Sequence, residues 1–187
     1  MKQIILPALR ITLVSIVLFC GIYTMVIWLF AQFSPAKGEG ETISVNGRTV
    51  GYSLEGQQFN QDQYFWGRPS AAGYNAAGSS GSNKGPGNPD FLKDIQSRID
   101  SFLVHNPGTA KKDIPFELVS ASGSGFDPDL SLEAASIQVP RIAKARHQTI
   151  DRIKALVENH FQQPLLLLLG PGRVNVLQLN ADLDKLR

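Results

Sequence analysis

Residues 11–33 form a run of 23 positions without a charged side chain. At about 1.5 Å of rise per residue, a helix of this length spans about 34 Å, enough to cross a hydrocarbon core of about 30 Å. The run starts at Ile11 and ends among aromatic residues that include Trp28 and Phe33, which favour the interface between lipid and water. The sequence therefore predicts a transmembrane helix over 11–33, surrounded by membrane lipid.

A cleaved secretory signal peptide is the alternative interpretation of this run. Such a peptide has an apolar core of about 7–15 residues followed by a small-x-small cleavage site. The run from 11 to 33 is longer than that core. A lipoprotein signal needs a small residue before its cysteine, whereas Cys20 follows Phe19. These features favour a permanent anchor.

The charges that flank the run predict its orientation. Lys2 and Arg10 precede it with no acidic residue, whereas Lys37 is closely followed by Glu39 and Glu41. Positive charge next to a span favours the cytoplasmic side. We therefore expect residues 1–10 in the cytoplasm and residues 34–187 outside it.

The charge and cysteine content of the remaining chain exclude several classes of protein. Of the 18 Lys and Arg residues, all but Lys2 and Arg10 follow the run, and the 16 that remain are balanced by 16 Asp and Glu. A nucleic-acid binder needs a clustered surplus of basic residues, so no nucleic-acid partner is expected. The only cysteine, Cys20, lies inside the run, which excludes a disulfide framework and a cysteine-ligated zinc site outside it.

The pattern after the run predicts one small extracytoplasmic α+β domain. Alternation around Asn46-Gly47 indicates a hairpin over 42–54. The segment from Gly56 to Pro89 is rich in Gly, Ser and Asn, and loops of this length are usually either functional or disordered. The further predicted elements are a helix from Pro89 and Asp90 to about Pro107, a short strand over 114–119, a short helix over 130–137, a long helix from Pro140 to about Phe161, and two strands over 165–169 and 174–179.

The sequence contains no recognisable catalytic or metal-binding motif. Gly73 and Gly78 have the spacing of a phosphate-binding loop, but Ser79 and Ser80 stand where that loop needs Lys and then Ser or Thr. The three histidines, His105, His147 and His160, do not have the spacing of a metal site. We therefore predict no catalytic residue, no metal site and no cofactor of the chain's own.

Charged and aromatic residues at two places are open to two interpretations. Arg146 falls on an apolar helix face, where it either reaches a carbonyl or carboxylate within the domain or anchors a partner. The aromatic residues at 64–66 and Arg68 are likewise suited both to loop packing and to an interface hot spot. Their presence favours an ordered loop.

Several short motifs follow one another from the aromatic residues at 64–66 to the C-terminal part of the domain. The motifs are Trp66-Gly67-Arg68-Pro69-Ser70, Tyr74-Asn75-Ala76, Gly81-Ser82-Asn83 with Gly85-Pro86 and Asn88-Pro89, Ser120-Ala121-Ser122-Gly123-Ser124-Gly125 with Asp127-Pro128, Val139-Pro140-Arg141 with Ala145-Arg146, and Arg173-Val174-Asn175-Val176-Leu177 with Leu179-Asn180. Together they resemble the C subunit of the Kdp potassium-transporting ATPase, and the resemblance covers the anchor and nearly the whole domain. The sequence departs from the family pattern at Lys84, Asp129 and the Gly170-Pro171-Gly172 turn.

The resemblance implies a subunit of a bacterial inner-membrane complex that imports K⁺ at the expense of ATP. Its partners would be a potassium-selective A subunit, an ATP-hydrolysing P-type B subunit and a small F subunit. The C subunit is described in this family as a catalytic chaperone that raises the ATP affinity of the B subunit. Because ATP is cytoplasmic and only residues 1–10 are expected there, direct ATP contact by the domain does not agree with the predicted orientation. The alternative function is a stand-alone, membrane-anchored extracytoplasmic enzyme or sensor.

The predicted interface residues follow from the loop and the motifs together. We expect the segment from Tyr64 to Pro89 to be ordered against the potassium-selective subunit, with Trp66 and Arg68 as its anchors. The interface candidates are Tyr64, Phe65, Trp66, Arg68, Tyr74, Asn75, Asn83, Asn88 and Arg146.

Overall fold

The N-terminal part of the chain is one long helix, and the rest is a separate α+β unit. The computed structural model describes residues 2–34, 36–166 and 168–186. The chain divides into two units, Met1–Glu41 and Thr42–Arg187. The mixed helix and sheet content of the second unit confirms the predicted α+β class.

The first unit is helical from Lys2 to Ala31. It consists of α1 (Lys2–Ser15), a π-helical middle (Ile16–Tyr23) and α2 (Thr24–Ala31). The stretch Ile4–Ala31 is long and apolar enough to cross a membrane, judged by length and composition. Ile11 lies inside the helix and Phe33 follows its last residue, so the helix begins and ends earlier than the predicted 11–33.

A hairpin opens the second unit, as predicted. Strands β1 (Thr42–Val45) and β2 (Arg48–Tyr52) pair antiparallel. The two turn residues, Asn46 and Gly47, have φ of 51° and 77°. A two-residue turn with both φ positive matches the right-handed twist of a hairpin, and Asn and Gly tolerate this conformation.

A small antiparallel sheet and four helices enclose the main core. The strands β3 (Asp129–Leu130), β4 (Phe161–Gln162) and β5 (Arg173–Asn175) lie in the order β3-β5-β4. The helices α4 (Leu132–Ser136), α5 (Val139–Arg146), α6 (Ile150–Asn159) and α7 (Val176–Leu183) pack around them. The largest fully buried apolar side chains are Phe65, Leu130, Ile142, Ile153, Val157, Val174, Leu179 and Leu183.

Helix α3 (Pro89–His105) confirms the helix predicted after the long loop. The side chain of Asn88 caps it by accepting hydrogen bonds from the backbone N–H groups of Asp90 and Phe91. Pro89 stands at the first helical position, where its missing N–H is not needed. His105 is the last helical residue.

The predicted helix from Pro140 to Phe161 is wrong, because α5 and α6 are separate. His147 has φ of 54° and ends α5 in the left-handed conformation. Thr149 then caps α6, its side chain accepting a hydrogen bond from the N–H of Arg152. The apolar spacing continued across the break because Ile142 and Ile153, one on each helix, both face the core.

Three shorter predictions also need correction. Residues 114–119 are not a strand, since Phe116–Leu118 forms a 3₁₀ turn. The predicted helix over 130–137 is shorter and follows β3. The predicted strand over 174–179 is divided between β5 and α7, because the side chain of Asn175 caps a helix by accepting from the N–H of Gln178.

The run of leucines over 165–169 is not a buried strand. It lies in the connection between the antiparallel strands β4 and β5, between Pro164 and Gly170. The four described leucines, Leu165, Leu166, Leu168 and Leu169, are all exposed. Leu167 lies outside the described residues.

Candidate functional site

The long loop between β2 and α3 carries most of the predicted interface residues. Residues 53–88, all of which the structure describes, form neither helix nor strand. The segment 61–66, here called the aromatic segment, nevertheless contributes to the core through Phe65, which is fully buried. Buried backbone that lacks secondary structure needs other hydrogen-bond partners.

Two side-chain amides supply those partners as a neighbouring strand would. The N–H of Phe65 donates to Asn180 Oδ1 over 2.9 Å, and Asn180 Nδ2 donates to the carbonyl of Phe65 over 3.0 Å. The N–H of Trp66 donates to Gln138 Oε1 over 2.8 Å, and Gln138 Nε2 donates to the carbonyl of Trp66 over 3.1 Å. Both amide side chains are themselves buried. The domain core therefore fixes the aromatic segment.

Arg141 on α5 completes this arrangement from the other side. Its Nη1 donates to the carbonyls of Asp62 and Tyr64 over 2.7 and 3.0 Å. Its Nη2 donates to Gln138 Oε1 over 2.7 Å, and its Nε donates to Asn106 Oδ1 over 3.0 Å. The side chain is only 3% exposed. Arginine suits this position because its planar group presents five donors in fixed directions.

Burial makes the charged form of Arg141 less favourable than it is in water. Burial lowers the pKa of Arg141 to about 10, and the carboxylate of Asp62, 3.9 Å away, raises it in part. The backbone carbonyls and the face of Trp66, whose ring centre lies 4.5 Å from the guanidinium carbon, supply further negative potential. The guanidinium thus remains charged at neutral pH and serves to hold the loop.

Arg146, at the last turn of α5, binds the same segment. Its Nε donates to the carbonyl of Gln63 over 2.7 Å, and its Nη2 lies 2.6 Å from Asp184 Oδ1. Its guanidinium carbon lies 4.9 Å from the centre of the Tyr64 ring. The hydroxyl of Tyr64 donates to Asp184 Oδ2, and burial is the largest cause that raises the Tyr64 pKa. Arg146 thus reaches a carbonyl and a carboxylate, the first of its two predicted interpretations.

Arg68 and Tyr74 fix the next part of the loop. Arg68 Nη1 lies 2.8 Å from Asp127 Oδ2, and the Tyr74 hydroxyl donates to the carbonyl of Arg68 over 2.6 Å. Ser70 Oγ accepts from the N–H of Tyr74, which has φ of 57°. Burial raises the pKa of Tyr74, so its hydroxyl stays protonated and can donate.

The predicted interface residues therefore lie in four different environments. Phe65 belongs to the core and is a correction to the predicted surface, since it has no exposed area. Asn88 caps α3. Asn75 and Asn83 are exposed, and their neighbours over 71–87, here called the outer loop, are small and mostly exposed. The half-buried candidates are Tyr64, Trp66, Arg68, Tyr74 and Arg146.

Sequence reasoning did not single out the residues that hold the loop. Arg141 and Asn180 lie within the quoted motifs, but nothing in the spacing indicated that they bind backbone over 61–66. The available signal was the placement of Gln138, Arg141 and Asn180 among apolar core positions. Such polar residues are buried only with partners.

Two histidines of the domain each lie close to an aspartate side chain. His105 Nδ1 lies 2.7 Å from Asp62 Oδ1 beside a cleft of about 970 Å³, and His160 Nε2 lies 2.8 Å from Asp182 Oδ2. His147 is exposed. Over the described ranges, no three His, Cys, Asp or Glu side chains are placed to hold a metal ion.

Comparison with known proteins identifies the family. The family described as "KdpC: K+-transporting ATPase, c chain" matches residues 5–185. The chain belongs to the KdpC family. Similar KdpC subunits of potassium-transporting ATPases occur in Flavobacterium psychrophilum (52% identical over 98% of each chain), Flavobacterium johnsoniae (50% over 96% of each chain) and Bacteroides fragilis (46% over 98% of this chain and 97% of the relative).

The KdpC match includes both structural units. It begins within α1 and ends after α7, so it contains the apolar helix, the long loop and the residues that hold it. The resemblance found in the sequence motifs is thereby confirmed.

Proposed function

We propose that this chain is a non-catalytic accessory subunit of an ATP-driven, high-affinity potassium importer. Family membership and the names of its relatives, potassium-transporting ATPase KdpC subunits, support this proposal. Its partners are then the potassium-selective A subunit, the ATP-hydrolysing B subunit and the small F subunit. These subunits handle K⁺ and ATP, and this chain contributes no cofactor of its own.

The chain crosses the bacterial inner membrane once in this proposal. The anchor is the uncharged stretch 11–33, most of which lies in the apolar helix Ile4–Ala31, while residues 1–10 face the cytoplasm and the domain is periplasmic. The support is the length of the helix and the basic residues at its N-terminal side, Lys2 and Arg10.

The observation that carries the proposal is the rigid support of the outer loop. Arg141, Gln138 and Asn180 bind the backbone of the aromatic segment, so the chain that leads into the outer loop is fixed by the core. A surface that is ordered before binding loses less conformational entropy when it meets a partner. The outer loop, with Asn75 and Asn83 at its surface, is therefore suited to dock on the potassium-selective subunit and cover the external K⁺ entrance.

An effect on ATP hydrolysis follows only indirectly from this placement. A periplasmic domain changes cytoplasmic ATP affinity if it binds one conformation of the pump more tightly than another. The family role as a catalytic chaperone for the B subunit then acts through the other subunits rather than through ATP contact by this domain.

A matched pair of substitutions tests the docking surface. Ala76 in the outer loop and Ala155 on α6 are both exposed, so each accepts an arginine without loss of core packing. We expect Ala76→Arg to reduce co-purification of this chain with the other subunits and to reduce K⁺ uptake, while Ala155→Arg changes neither. The thermal unfolding of each full chain is measured alongside. Normal assembly and uptake with Ala76→Arg would refute docking through the outer loop.

A further inference from the structure

The turn between β4 and β5, here called the leucine turn, exposes several leucines to solvent. The turn comprises residues 165–169, and its four described leucines are 68%, 77%, 87% and 59% exposed in chain order. No charged residue occurs from Phe161 to Gly172. A contiguous exposed apolar patch of this kind marks a surface that meets a partner or a membrane.

The backbone of the leucine turn is already prepared for an apolar environment. The N–H of Leu165 donates to the carbonyl of Leu169 over 3.0 Å, and the N–H of Leu169 donates to the carbonyl of Leu165 over 2.9 Å. Polar backbone groups that leave water are costly unless they are paired. This reciprocal pair removes part of that cost at the base of the turn.

The conformation of Leu166 is a second indication. Its φ of 54° lies in the left-handed region, which is unfavourable for a leucine. The side chain is 77% exposed, so the core does not compensate for this strain by burying it. A residue held in such a conformation at the surface points to a function of the turn beyond the fold.

The composition of the turn favours lipid over protein as its contact. Protein interfaces are enriched in aromatic residues, Met and Arg, and leucine is under-represented among their hot spots. A row of leucines without any hydrogen-bonding side chain gains from non-directional burial, which an acyl-chain boundary provides. The polar residues on one side, Gln162 and Gln163, suit the headgroup level.

The length of the connection permits such a contact. Ten residues separate Ala31, the last residue of α2, from Thr42, the first residue of β1. Fully extended, they reach about 35 Å, which is comparable to the diameter of a folded unit of this size. We propose that the leucine turn inserts into the outer leaflet of the membrane that the N-terminal helix crosses. This inference rests on the proposed anchor.

Depth-dependent quenching tests the insertion directly. The full chain with Cys20→Ala, and Leu168→Cys labelled with a small fluorophore, is reconstituted without other pump subunits into phosphatidylethanolamine–phosphatidylglycerol vesicles. Lipids brominated along the acyl chains serve as quenchers. Val104→Cys is the matched control, because Val104 is an apolar residue on α3 that is 77% exposed. Phe19→Cys, within the helix, reports on the anchor itself.

We expect brominated lipid to reduce emission from the labels at 168 and 19 at least two-fold, and to leave the label at 104 unchanged. Quenching at 19 without quenching at 168 would overturn the insertion alone. The absence of quenching at both 19 and 168 would overturn the anchor and the insertion together. Equal quenching at 168 and 104 would show non-specific adsorption of the domain and overturn the proposal. A soluble quencher provides one more comparison, between the chain alone in vesicles and the assembled pump. If position 168 is shielded from this quencher only in the assembled pump, the turn binds a protein partner and the lipid proposal is wrong.

Discussion

The guanidinium of Arg141 lies against the ring of Trp66 while it binds the carbonyls of Asp62 and Tyr64. One side chain on α5 therefore compensates for buried carbonyls and covers an aromatic face of the same segment. Ordering a residue costs about 1–2 kcal/mol of backbone entropy, so a long loop needs such compensation. In this protein, the aromatic segment obtains it from within the domain.

Replacement of Arg141 should therefore destabilise the domain strongly. Arg141→Met leaves the carbonyls of Asp62 and Tyr64 without their donor, and a buried acceptor left without a partner costs about 1–3 kcal/mol. Arg141→Lys retains the charge but loses the fork geometry, so we expect a smaller loss. Urea unfolding of the full chain in detergent micelles measures both. Equal midpoints for Arg141→Met and the unmodified chain would contradict the role assigned to Arg141.

The double variant Trp66→Ala, Arg68→Ala separates internal packing from partner binding. The sequence-based hypothesis expects the pump to lose this subunit while the domain keeps its fold. The contacts of Trp66 with Arg141 and of Arg68 with Asp127 lead us to expect a loss of stability as well, of about 3 kcal/mol or more. Thermal unfolding and co-purification are measured together. An unchanged melting temperature with lost assembly would favour the sequence-based hypothesis.

Asn83→Gly is the control for that experiment. Asn83 is exposed and has φ of 52°, which glycine adopts without strain. We expect this variant to melt close to the unmodified chain. A large loss of stability would show that the Asn83 side chain helps to hold the outer loop.

Asn88→Ala should weaken the start of α3. The Asn88 side chain caps two backbone N–H groups, and the loss of such a cap costs about 1 kcal/mol. Asn88→Gly should cost only a few tenths of a kcal/mol. Hydrogen exchange of the first turn of α3, together with urea midpoints, distinguishes the two variants. The same midpoint for both would argue against the cap.

Asp182 and Asp129 should make opposite contributions to acid stability. The pKa of Asp182 is lowered mainly by the hydrogen bond that Lys185 donates to its carboxylate, and also by the hydrogen bond from His160. Its stabilising effect is therefore present above the ordinary pKa and lost as pH falls through the lower folded value. Burial raises the pKa of Asp129, despite the nearby Arg173, so its ionised form costs stability that is recovered as pH falls.

Two isosteric variants test this difference. Asp182→Asn should be less stable than the unmodified chain at pH 7, with the difference shrinking towards pH 3. Asp129→Asn should gain stability relative to the unmodified chain at pH 7, and this gain should shrink over the same range. Urea midpoints across the pH series measure both. Parallel curves for the two variants would contradict the assigned directions.

Local signals allowed the hairpin and α3 to be predicted from sequence. Asn46-Gly47 predicts a turn because Asn and Gly tolerate positive φ, and Pro89-Asp90 predicts a helix start because the fixed φ of Pro suits the first helical position. The break at His147 could not be found this way, since a left-handed histidine has no distinctive pattern and the apolar period continues beyond it.

The prediction for the leucine turn was wrong, and the residues that hold the loop were not identified, for a different reason. A run of leucines is identical in composition whether it lies in a core or on a surface, so 165–169 was assigned to the interior. The partners of Arg141 and Asn180 lie far away along the chain, 115 residues away in the case of Asn180 and Phe65. Such pairing depends on tertiary structure and leaves no local spacing to recognise.

That separation sets the order of events during synthesis. Phe65 leaves the ribosome long before Asn180, and at about 5–20 residues per second the interval is on the order of ten seconds. Until α7 has emerged, the backbone of Phe65 lacks the side chain of Asn180 as its partner, although Gln138 and Arg141 emerge earlier. The nascent chain thus carries Phe65 without its final partner during that interval, in which a holdase would protect it.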